Sequence, residues 1–197
     1  MTSSQPADPY TAKNSEDPSL EIKVNDLNTF IKGQKFGMFT TVAQSGVLAS
    51  RCMAIAAQEN DIDLLFHTNT ESGKTDDIEN DSHVNVAFLS SDGSWASISG
   101  KANVITDRSV VKKYYSPALK TWVGDLGDGK HDGSENDPRI GVIKVKATTV
   151  TYAVAQGNFI SRGVEMVQGV ITGEAAKVNQ IRGISEQELE QWRSKHA

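Results

Sequence analysis

The sequence predicts a mainly β protein of the α+β class, in which helices flank a six-stranded antiparallel barrel. Two observations lead to this fold class: six segments rich in β-forming residues follow one another along the chain, and few helical segments separate them. Parallel strands would need a crossover of a dozen or more residues between each pair. Most joints here are short polar turns, so antiparallel pairing is expected.

The strand segments begin at Phe36, and short turns define their order. The first three segments predict a meander, since only the breaks at 44–46 and 59–61 separate them. Asp92 and Gly93 form a turn between the fourth and fifth segments. In chain order the six segments read KFGMFTTVA, VLASRCMAIAA, IDLLFHTN, HVNVAFLS, SWASISGKANVI and RIGVIKVKATTVTYAVA.

Four further segments carry the signals of helices. Apolar residues recur at helical spacing from Leu20 to Ile31, and Gly33 follows as an end signal. Ser185 and Glu188 form a capping box ahead of a helix near the end of the chain. The two other predicted helices cover residues 72–80 and the segment that Asp107 caps, whereas residues 118–138 are expected to be mostly loop.

Residues 1–18 differ in composition from the rest of the chain. They contain three of the five prolines, several serine and aspartate residues, and no hydrophobic periodicity. Such segments cannot bury enough apolar surface to offset the entropy of ordering. We therefore expect a disordered tail at residues 1–18 and one barrel domain, including the terminal helix, at residues 19–197.

Charge and composition exclude several classes of function. The net charge is −5 and the pI is near 5.4, so the chain has no general attraction for nucleic acid or anionic membranes. No apolar run approaches the ~20 residues that cross a bilayer. Residues 1–17 lack the pattern of a signal peptide, and the single Cys52 cannot form an internal disulfide. These features predict a soluble, cytoplasmic protein.

No metal site is expected. Four scattered histidines and one cysteine lack the spacing of zinc ligands. Calcium is an alternative at the aspartate-rich loop 124–137, but the spacing differs from that of an EF-hand and favours a solvated acidic loop. The stretch GDLGDG in this loop follows no strand and has neither the dinucleotide nor the Walker spacing.

Three positions have surroundings that a bound anion would explain. Arg51 lies on a largely apolar strand face, for which a rim position with its head in water is an equally good account. Lys74 follows Ser72 and Gly73 in the first turn of a predicted helix, where its cation faces the positive end of the helix dipole. This position is unfavourable for a lysine unless a phosphate binds there or the aspartates that follow compensate for the charge. Thr68 ends the preceding strand. Together, these residues predict a cradle for one phosphate group.

Several segments make the chain resemble a known family. They are SRCMA, LLFHTNTESGKTDDIEND, SWASISGKANVITDR, YYSPALKTWVGDLGDG and DPRIGVIKV. The chain resembles the pyridoxamine 5′-phosphate oxidase-like superfamily of FMN-binding split barrels. Within it, the resemblance is to the general stress protein branch and especially to the fungal blue-light-inducible proteins. It covers roughly Leu20 to Arg193.

The resemblance implies a cofactor, a partner and a set of binding residues. It implies that FMN binds at the interface of a homodimer, with Arg51 and Lys74 on its phosphate and Thr68 beside them. Gly73 stands where the oxidases usually carry a second arginine. The residues that the resemblance implies around FMN are Arg51, Cys52, Met53, Phe66, His67, Thr68, Ser72, Gly73 and Lys74 in one subunit, with Trp95, Ser97 and Trp122 as candidates from the second subunit.

The resemblance also implies a small FMN-dependent oxidoreductase linked to stress or light. A true pyridoxamine-phosphate oxidase is not expected, because the C-terminal Arg-Leu-His signature for substrate phosphate is missing. A non-enzymatic flavin carrier or sensor is the alternative, and haem in place of flavin is a second one that the scarcity of histidine disfavours. No catalytic residue is assigned, and His67 is only the least poor candidate for a general acid or base.

Overall fold

The computed structural model describes residues 8–156 and 159–196. Seven strands and seven α-helices make up this part of the chain, with a short 3₁₀ turn at Pro117–Leu119. The strands are β1 (Phe36–Val42), β2 (Leu48–Glu59), β3 (Asp63–Asn69), β4 (His83–Leu89), β5 (Trp95–Ile105), β6 (Ile140–Ala155) and β7 (Asn179–Ile184). The helices are α1 (Pro9–Asn14), α2 (Leu20–Lys32), α3 (Gly73–Asn80), α4 (Arg108–Tyr114), α5 (Lys120–Val123), α6 (Phe159–Thr172) and α7 (Glu186–His196).

The strands form one antiparallel sheet that closes on itself. Its order is β3-β2-β1-β4-β5-β6-β7, and a further pairing of β3 with β6 closes a six-stranded barrel. The seventh strand, β7, pairs with the last six residues of β6, beyond the barrel proper. The antiparallel split-barrel fold predicted from the sequence is therefore confirmed.

Two hydrophobic cores hold the barrel and its helices together. The larger core fills the barrel, where the ring of Phe39 meets that of Phe66 edge to face with centroids 5.3 Å apart. Helices α2, α3 and α7 add apolar residues to it, among them Leu27, Ile78 and Trp192. The smaller core lies outside the barrel, between β3 and β6 on one side and α4 with its following loop on the other. The barrel is thus packed on its inside and along one outer side.

The helix ends follow the signals in the sequence. Ser185 and Glu188 form the expected capping box, with the Ser185 Oγ and the Glu188 carboxylate 2.8 Å apart. The Asp107 side chain accepts hydrogen bonds from the backbone N–H groups of Ser109 and Val110 at the start of α4. Helix α2 ends at Lys32, and Gly33 follows as its C-cap.

The second half of the expected disordered tail is ordered instead. Residues 9–14 form α1, and Ser15 forms a parallel bridge to Ile181 in β7. The reason is Asn14, which is fully buried: its Nδ2 donates to the carbonyls of Tyr10 and Ala176, and its Oδ1 accepts from the N–H groups of Val178 and Asn179. One side chain thus satisfies four backbone groups, which composition alone does not reveal. The first seven residues of the expected tail lie outside the described residues.

Helix α6 and strand β7 have no counterpart in the sequence-based assignment. The chain leaves β6 after Ala155 and returns along it as β7. Among the described residues, no helix is both long enough and apolar enough to span a membrane.

Candidate functional site

The barrel opens between β2 and β3. The two strands pair only between Ile55 and Glu59 of β2 and the first four residues of β3, and a bulge at Ala56 interrupts this ladder. Residues 67–69 of β3 continue along β6, whereas residues 48–54 of β2 continue along β1. The facing edges of β2 and β3 are therefore parted, and the parting leaves a mouth lined by backbone groups.

Arg51 lies on the inward face of β2 beside this mouth. One of its terminal nitrogens donates to Thr41 Oγ1 at 2.8 Å, and the other donates to Asp77 Oδ2 at 3.1 Å. The Thr41 hydroxyl in turn donates to the same Asp77 oxygen at 2.7 Å. Thr41 is fully buried, and about a third (34%) of the Arg51 side chain is exposed. Thr41 and Asp77 thus hold the guanidinium in place and leave part of it facing outwards.

Lys74 lies in the first turn of α3 and points back to the turn before it. Its Nζ donates to Ser72 Oγ at 2.6 Å, and that hydroxyl donates to the Asn69 carbonyl at 2.7 Å. Thr68 Oγ1 donates to the same carbonyl at 3.1 Å. The structure therefore places the hydroxyls of Thr68 and Ser72 and the ammonium of Lys74 around one short turn.

The electrostatics of this turn favour an anion. Burial, and secondly the positive charge of Arg51, lower the pKa of Lys74 below its ordinary value of 10.5. The Ser72 hydroxyl is engaged with Asn69 and does not cap α3, so the first N–H groups of the helix have no side-chain acceptor. Two cations and an uncapped helix N-terminus therefore meet here, with Asp77 as the carboxylate bound to Arg51. A phosphate group fits this arrangement.

Gly73 stands at the first position of α3 and faces open space. A Cβ added there would meet no heavy atom within 4 Å. The structure therefore has room for a larger side chain at this position, and packing does not explain why glycine stands here instead of a second arginine.

Two of the sequence-predicted residues face away from this cradle. The Phe66 side chain is fully buried in the barrel core, so only its backbone is near the mouth. His67 points to the opposite face of β3, where its Nε2 lies 2.7 Å from the Tyr114 carbonyl of α4. A carbonyl only accepts, so Nε2 carries the proton, and burial lowers the pKa of the ring. His67 is thus a neutral residue of the α4 packing.

Cys52, Trp95 and Ser97 share the outside of the barrel. Cys52, Met38, Ala87 and Ser97 are cross-strand neighbours on β2, β1, β4 and β5, and Trp95 pairs with Leu89 in the next row. Met53 alternates with Cys52 and packs against the barrel core. We call the outer residues the outer barrel face: Phe36, Met38, Cys52, Ala54, Ala87, Leu89, Trp95 and Ser97.

This outer barrel face is apolar and open to solvent. Phe36 is 57% exposed and Leu89 is 76% exposed. Contiguous exposed apolar surface of this kind is typical of an interaction site.

Trp122 is 84% exposed on the short helix α5, within the segment 115–139 between α4 and β6, which we call the Trp122 loop. The Arg139 guanidinium donates to the carbonyls of Val123 and Gly124 at 3.1 and 2.8 Å, directly after Trp122. Arg139 also forms a buried ion pair with Asp137 at 2.7 Å, and the Asp137 carboxylate accepts from the Gly133 N–H at 2.7 Å. The loop thus presents an exposed tryptophan from an ordered base.

Sequence reasoning did not single out Thr41 and Asn69. Thr41 is a hydroxyl on the inward face of β1, and strict alternation from Phe39 places it there. That alternation could have predicted the inward position of Thr41. The Asn69 carbonyl acts through the backbone, so no residue type in the sequence indicates its role. Within the described part of the chain, no group of three His, Cys, Asp or Glu side chains is arranged to hold a metal ion.

We expect Asp137→Asn to loosen the Trp122 loop. The substitution leaves the Arg139 charge buried without its partner, and breaking such a pair costs about 3–5 kcal/mol of unfolding free energy. Denaturant unfolding measures the loss, and hydrogen exchange should rise in residues 117–138. Asp125→Asn, in the same loop but more exposed, is the control and should have little effect.

The same pair carries a pH dependence. The Arg139 side chain lowers the pKa of Asp137 from 3.8 to about 2, so its contribution to stability is complete above pH 3.8 and is lost as the pH falls towards 2. Equal stability of the wild type and Asp137→Asn at neutral pH would contradict this account.

Comparisons with known proteins agree with the fold and cover most of the chain. The sequence profile of the family described as "Pyridoxamine 5′-phosphate oxidase like" matches residues 23–177. Protein bli-3 of Neurospora crassa is 54% identical over 199 residues, which cover 99% of this chain and 95% of that protein.

Two solved structures show the same fold. General Stress Protein 26 from Bacillus anthracis is 27% identical, with a TM-score of 0.56, over 66% of this chain and 92% of the other. A pyridoxamine 5′-phosphate oxidase-related, FMN binding protein from Nostoc punctiforme is 14% identical, with a TM-score of 0.53, over 70% and 83%. The profile match and the 54% identity together show that this chain belongs to the pyridoxamine 5′-phosphate oxidase-like family.

Proposed function

We propose that this protein is a flavoprotein that binds FMN through the cradle at the start of α3. One observation carries the proposal: Arg51 and a Lys74 of lowered pKa converge on an uncapped helix N-terminus beside the parted strands. A phosphate dianion there would relieve the repulsion of the two cations and accept hydrogen bonds from both. The family supports the proposal, since a structural relative is described as FMN binding.

The cradle suits a mononucleotide rather than a dinucleotide. Each other arginine whose side chain the structure describes is already committed within the protein. Arg139 and Arg193 form ion pairs with Asp137 and Asp63, and Arg182 binds Asp26 and Glu16. Arg108 donates to the carbonyls of Asp137 and Ile140. Among the described arginines, this leaves none besides Arg51 for another phosphate, whether of FAD or of a phosphorylated substrate.

The parted edges of β2 and β3 are the proposed contact for the flavin ring. Backbone groups of Arg51 to Met53 and of Phe66 to His67 border the mouth, close to the phosphate cradle. Backbone N–H and C=O groups on such edges can pair with the polar rim of a planar ring.

We further propose a homodimer in which the outer barrel face meets its copy and brings Trp95, Ser97 and Trp122 near the partner's flavin. The exposure of Phe36, Leu89 and Trp122 supports this arrangement, because large apolar side chains normally lie in a core or an interface. The lone cysteine agrees with a reducing, cytoplasmic setting.

We propose that the protein acts as a small FMN-dependent oxidoreductase in a response to stress or light. Bound FMN supplies the redox chemistry, and the chain supplies the phosphate grip and the orientation of the ring. His67 is not placed to act as an acid or base, since its Nε2–H is held by Tyr114. A flavin carrier or sensor needs the same cradle and differs only in turnover.

Arg51→Ala and Lys74→Ala should each weaken FMN binding roughly 10- to 150-fold, because each removes a charge-assisted contact to phosphate. Fluorescence titration measures the affinity. Riboflavin, which lacks the phosphate, should bind both variants as it binds the wild type. Lys32→Ala, at the exposed end of α2, is the matched control. Unchanged FMN affinity in both variants would place the phosphate elsewhere.

FMN affinity should fall as the pH rises towards and past the pKa of Lys74. Only the protonated ammonium attracts phosphate, and burial beside Arg51 lowers this pKa below 10.5, so the decline should begin at a lower pH than for an exposed lysine. Lys74→Arg keeps its charge throughout this range and should show a flatter profile. Riboflavin titrations over the same pH range correct for ionisation of the ring itself. Identical profiles for the wild type and Lys74→Arg would contradict this role of Lys74.

The purified protein should be yellow and should release FMN on acid treatment. It should form no pyridoxal phosphate from pyridoxamine phosphate or pyridoxine phosphate, because no further described arginine is free to bind the phosphate of the substrate. Absorption and chromatography identify the ligand, and a haem spectrum would overturn the proposal. Anaerobic bleaching by NADH or NADPH supports the oxidoreductase. A bound flavin that neither nucleotide bleaches favours the carrier or sensor. Steady pyridoxal phosphate formation would refute the exclusion of vitamin B6 chemistry.

A further inference from the structure

Asp77 is a carboxylate within the phosphate cradle, and it binds only one of the two cations there. Its Oδ2 accepts from Arg51 at 3.1 Å and from the Thr41 hydroxyl at 2.7 Å, and Arg51 also donates to Thr41 Oγ1 at 2.8 Å. The three side chains therefore form a closed ring of hydrogen bonds. Among the described residues, Lys74 forms no ion pair, and its Nζ donates to the Ser72 hydroxyl at 2.6 Å.

The ring leaves Arg51 able to bind a further acceptor. Thr41 and the Ala49 carbonyl accept from one terminal nitrogen of the guanidinium, and Asp77 accepts from the other. The remaining N–H groups of Arg51 have no acceptor among the described residues, and 34% of the side chain is exposed. A phosphate can therefore bind Arg51 while Asp77 stays in place. In that complex, the phosphate and the Asp77 carboxylate share one guanidinium.

Asp77 has two opposite effects on an anion bound in this way. It fixes the direction of the Arg51 guanidinium, so less side-chain entropy is lost when the anion binds. It also offsets part of the Arg51 charge and repels a phosphate that approaches the same group. The offset is incomplete, since the charge of Arg51 still contributes to lowering the pKa of Lys74.

Helix α3 is anchored to the barrel by other residues than Asp77. The Ile78 side chain lies in the barrel core, and Thr75 is buried, with its hydroxyl 2.9 and 2.6 Å from the carbonyls of Thr70 and Ser72. The described hydrogen bonds of the Asp77 carboxylate go to the cradle alone. Substitution of Asp77 should therefore leave the fold intact.

We propose that Asp77 sets the affinity of the cradle: it positions Arg51 for the phosphate and, through its negative charge, weakens the binding of that phosphate. The inference rests on the FMN site proposed above. Two cations without this carboxylate would hold a phosphate dianion more tightly. The consequence is an FMN that exchanges with solution more readily than Arg51 and Lys74 alone would allow.

The test is Asp77→Asn in the full-length protein after removal of FMN. The amide keeps an oxygen acceptor for Arg51 and Thr41 and removes the negative charge, so FMN affinity should rise on the order of tenfold. Fluorescence titration measures the dissociation constant, and release of FMN in stopped flow should be slower. Asp76→Asn makes the same change at the neighbouring, exposed residue of α3, and this matched control should have little effect.

Two further ligands locate the effect at the phosphate. Riboflavin, which lacks the phosphate, should bind Asp77→Asn as it binds the wild type. Inorganic phosphate competes with FMN for the cradle, and its inhibition constant should fall in Asp77→Asn by a factor similar to that for FMN. A merely structural role of Asp77 would change the affinities for FMN and riboflavin together and leave their ratio constant.

Asp77→Ala separates the positioning effect from the charge effect. It removes the acceptor as well as the charge, so Thr41 and the Ala49 carbonyl are the described contacts that still hold Arg51. FMN affinity should therefore rise above that of the wild type, but less than in Asp77→Asn. Equal gains in the two variants would contradict the positioning of Arg51 by Asp77. If thermal unfolding shows that Asp77→Asn folds poorly, a lack of any gain in Asp77→Ala overturns the inference instead.

Unchanged or weaker FMN binding by a folded Asp77→Asn variant would overturn the inference. If Arg51→Ala weakens FMN binding in the same series, the role of Asp77 fails alone and the proposed cradle stands. If Arg51→Ala and Lys74→Ala have no effect either, the cradle itself fails. An equal gain in Asp76→Asn would also count against the inference, because the effect would then arise from the general charge of α3.

Discussion

The structure depends on how β3 divides its pairing between two neighbours. Its first residues pair with β2 and β6, and its last residues pair with β6 alone, so the barrel closes at one end and parts at the other. The bulge at Ala56 makes this division, because the extra residue bends β2 away from β3. Everything at the mouth follows: α3 starts just after the free end of β3, and Arg51 comes from the free half of β2. A barrel paired along its full length would have no such opening.

The cradle at this mouth is built from like charges held together at close range. Thr41 and Asp77 fix the Arg51 guanidinium, and the turn after Thr68 directs Lys74 towards it. The burial of apolar side chains in the barrel core offsets the repulsion between these charges, because it holds β1, β2 and α3 in one arrangement whether or not an anion is bound. Asp77 balances only part of the positive charge. The proposed phosphate would bind to a site organised in this way with little rearrangement.

Two apolar surfaces are exposed in the part of the chain that the structure describes. The outer barrel face exposes the large apolar side chains of Phe36, Met38 and Leu89 on β1 and β4, and α6 turns its apolar side outwards. Trp122 stands on a third, polar-anchored segment, where Arg139 and Asp137 hold the loop against the barrel. These exposed apolar groups support the homodimer proposed above, in which they would meet a second copy of the chain. In that proposal, the flavin mouth and the dimer interface belong to one assembly.

Local signals in the sequence determined the barrel class, the strand segments, the capped helices and the cluster of Arg51, Thr68, Ser72 and Lys74. Alternation, turn residues and capping boxes act over a few residues, so they can be read without the fold. Tertiary structure alone decided which neighbours those residues meet. It turned His67 towards α4 and Phe66 into the core, and it ordered residues 8–18 around Asn14. It also set α6 with its apolar side outwards. These outcomes depend on contacts between residues far apart in the chain, such as Asn14 with Val178, and no local pattern encodes them.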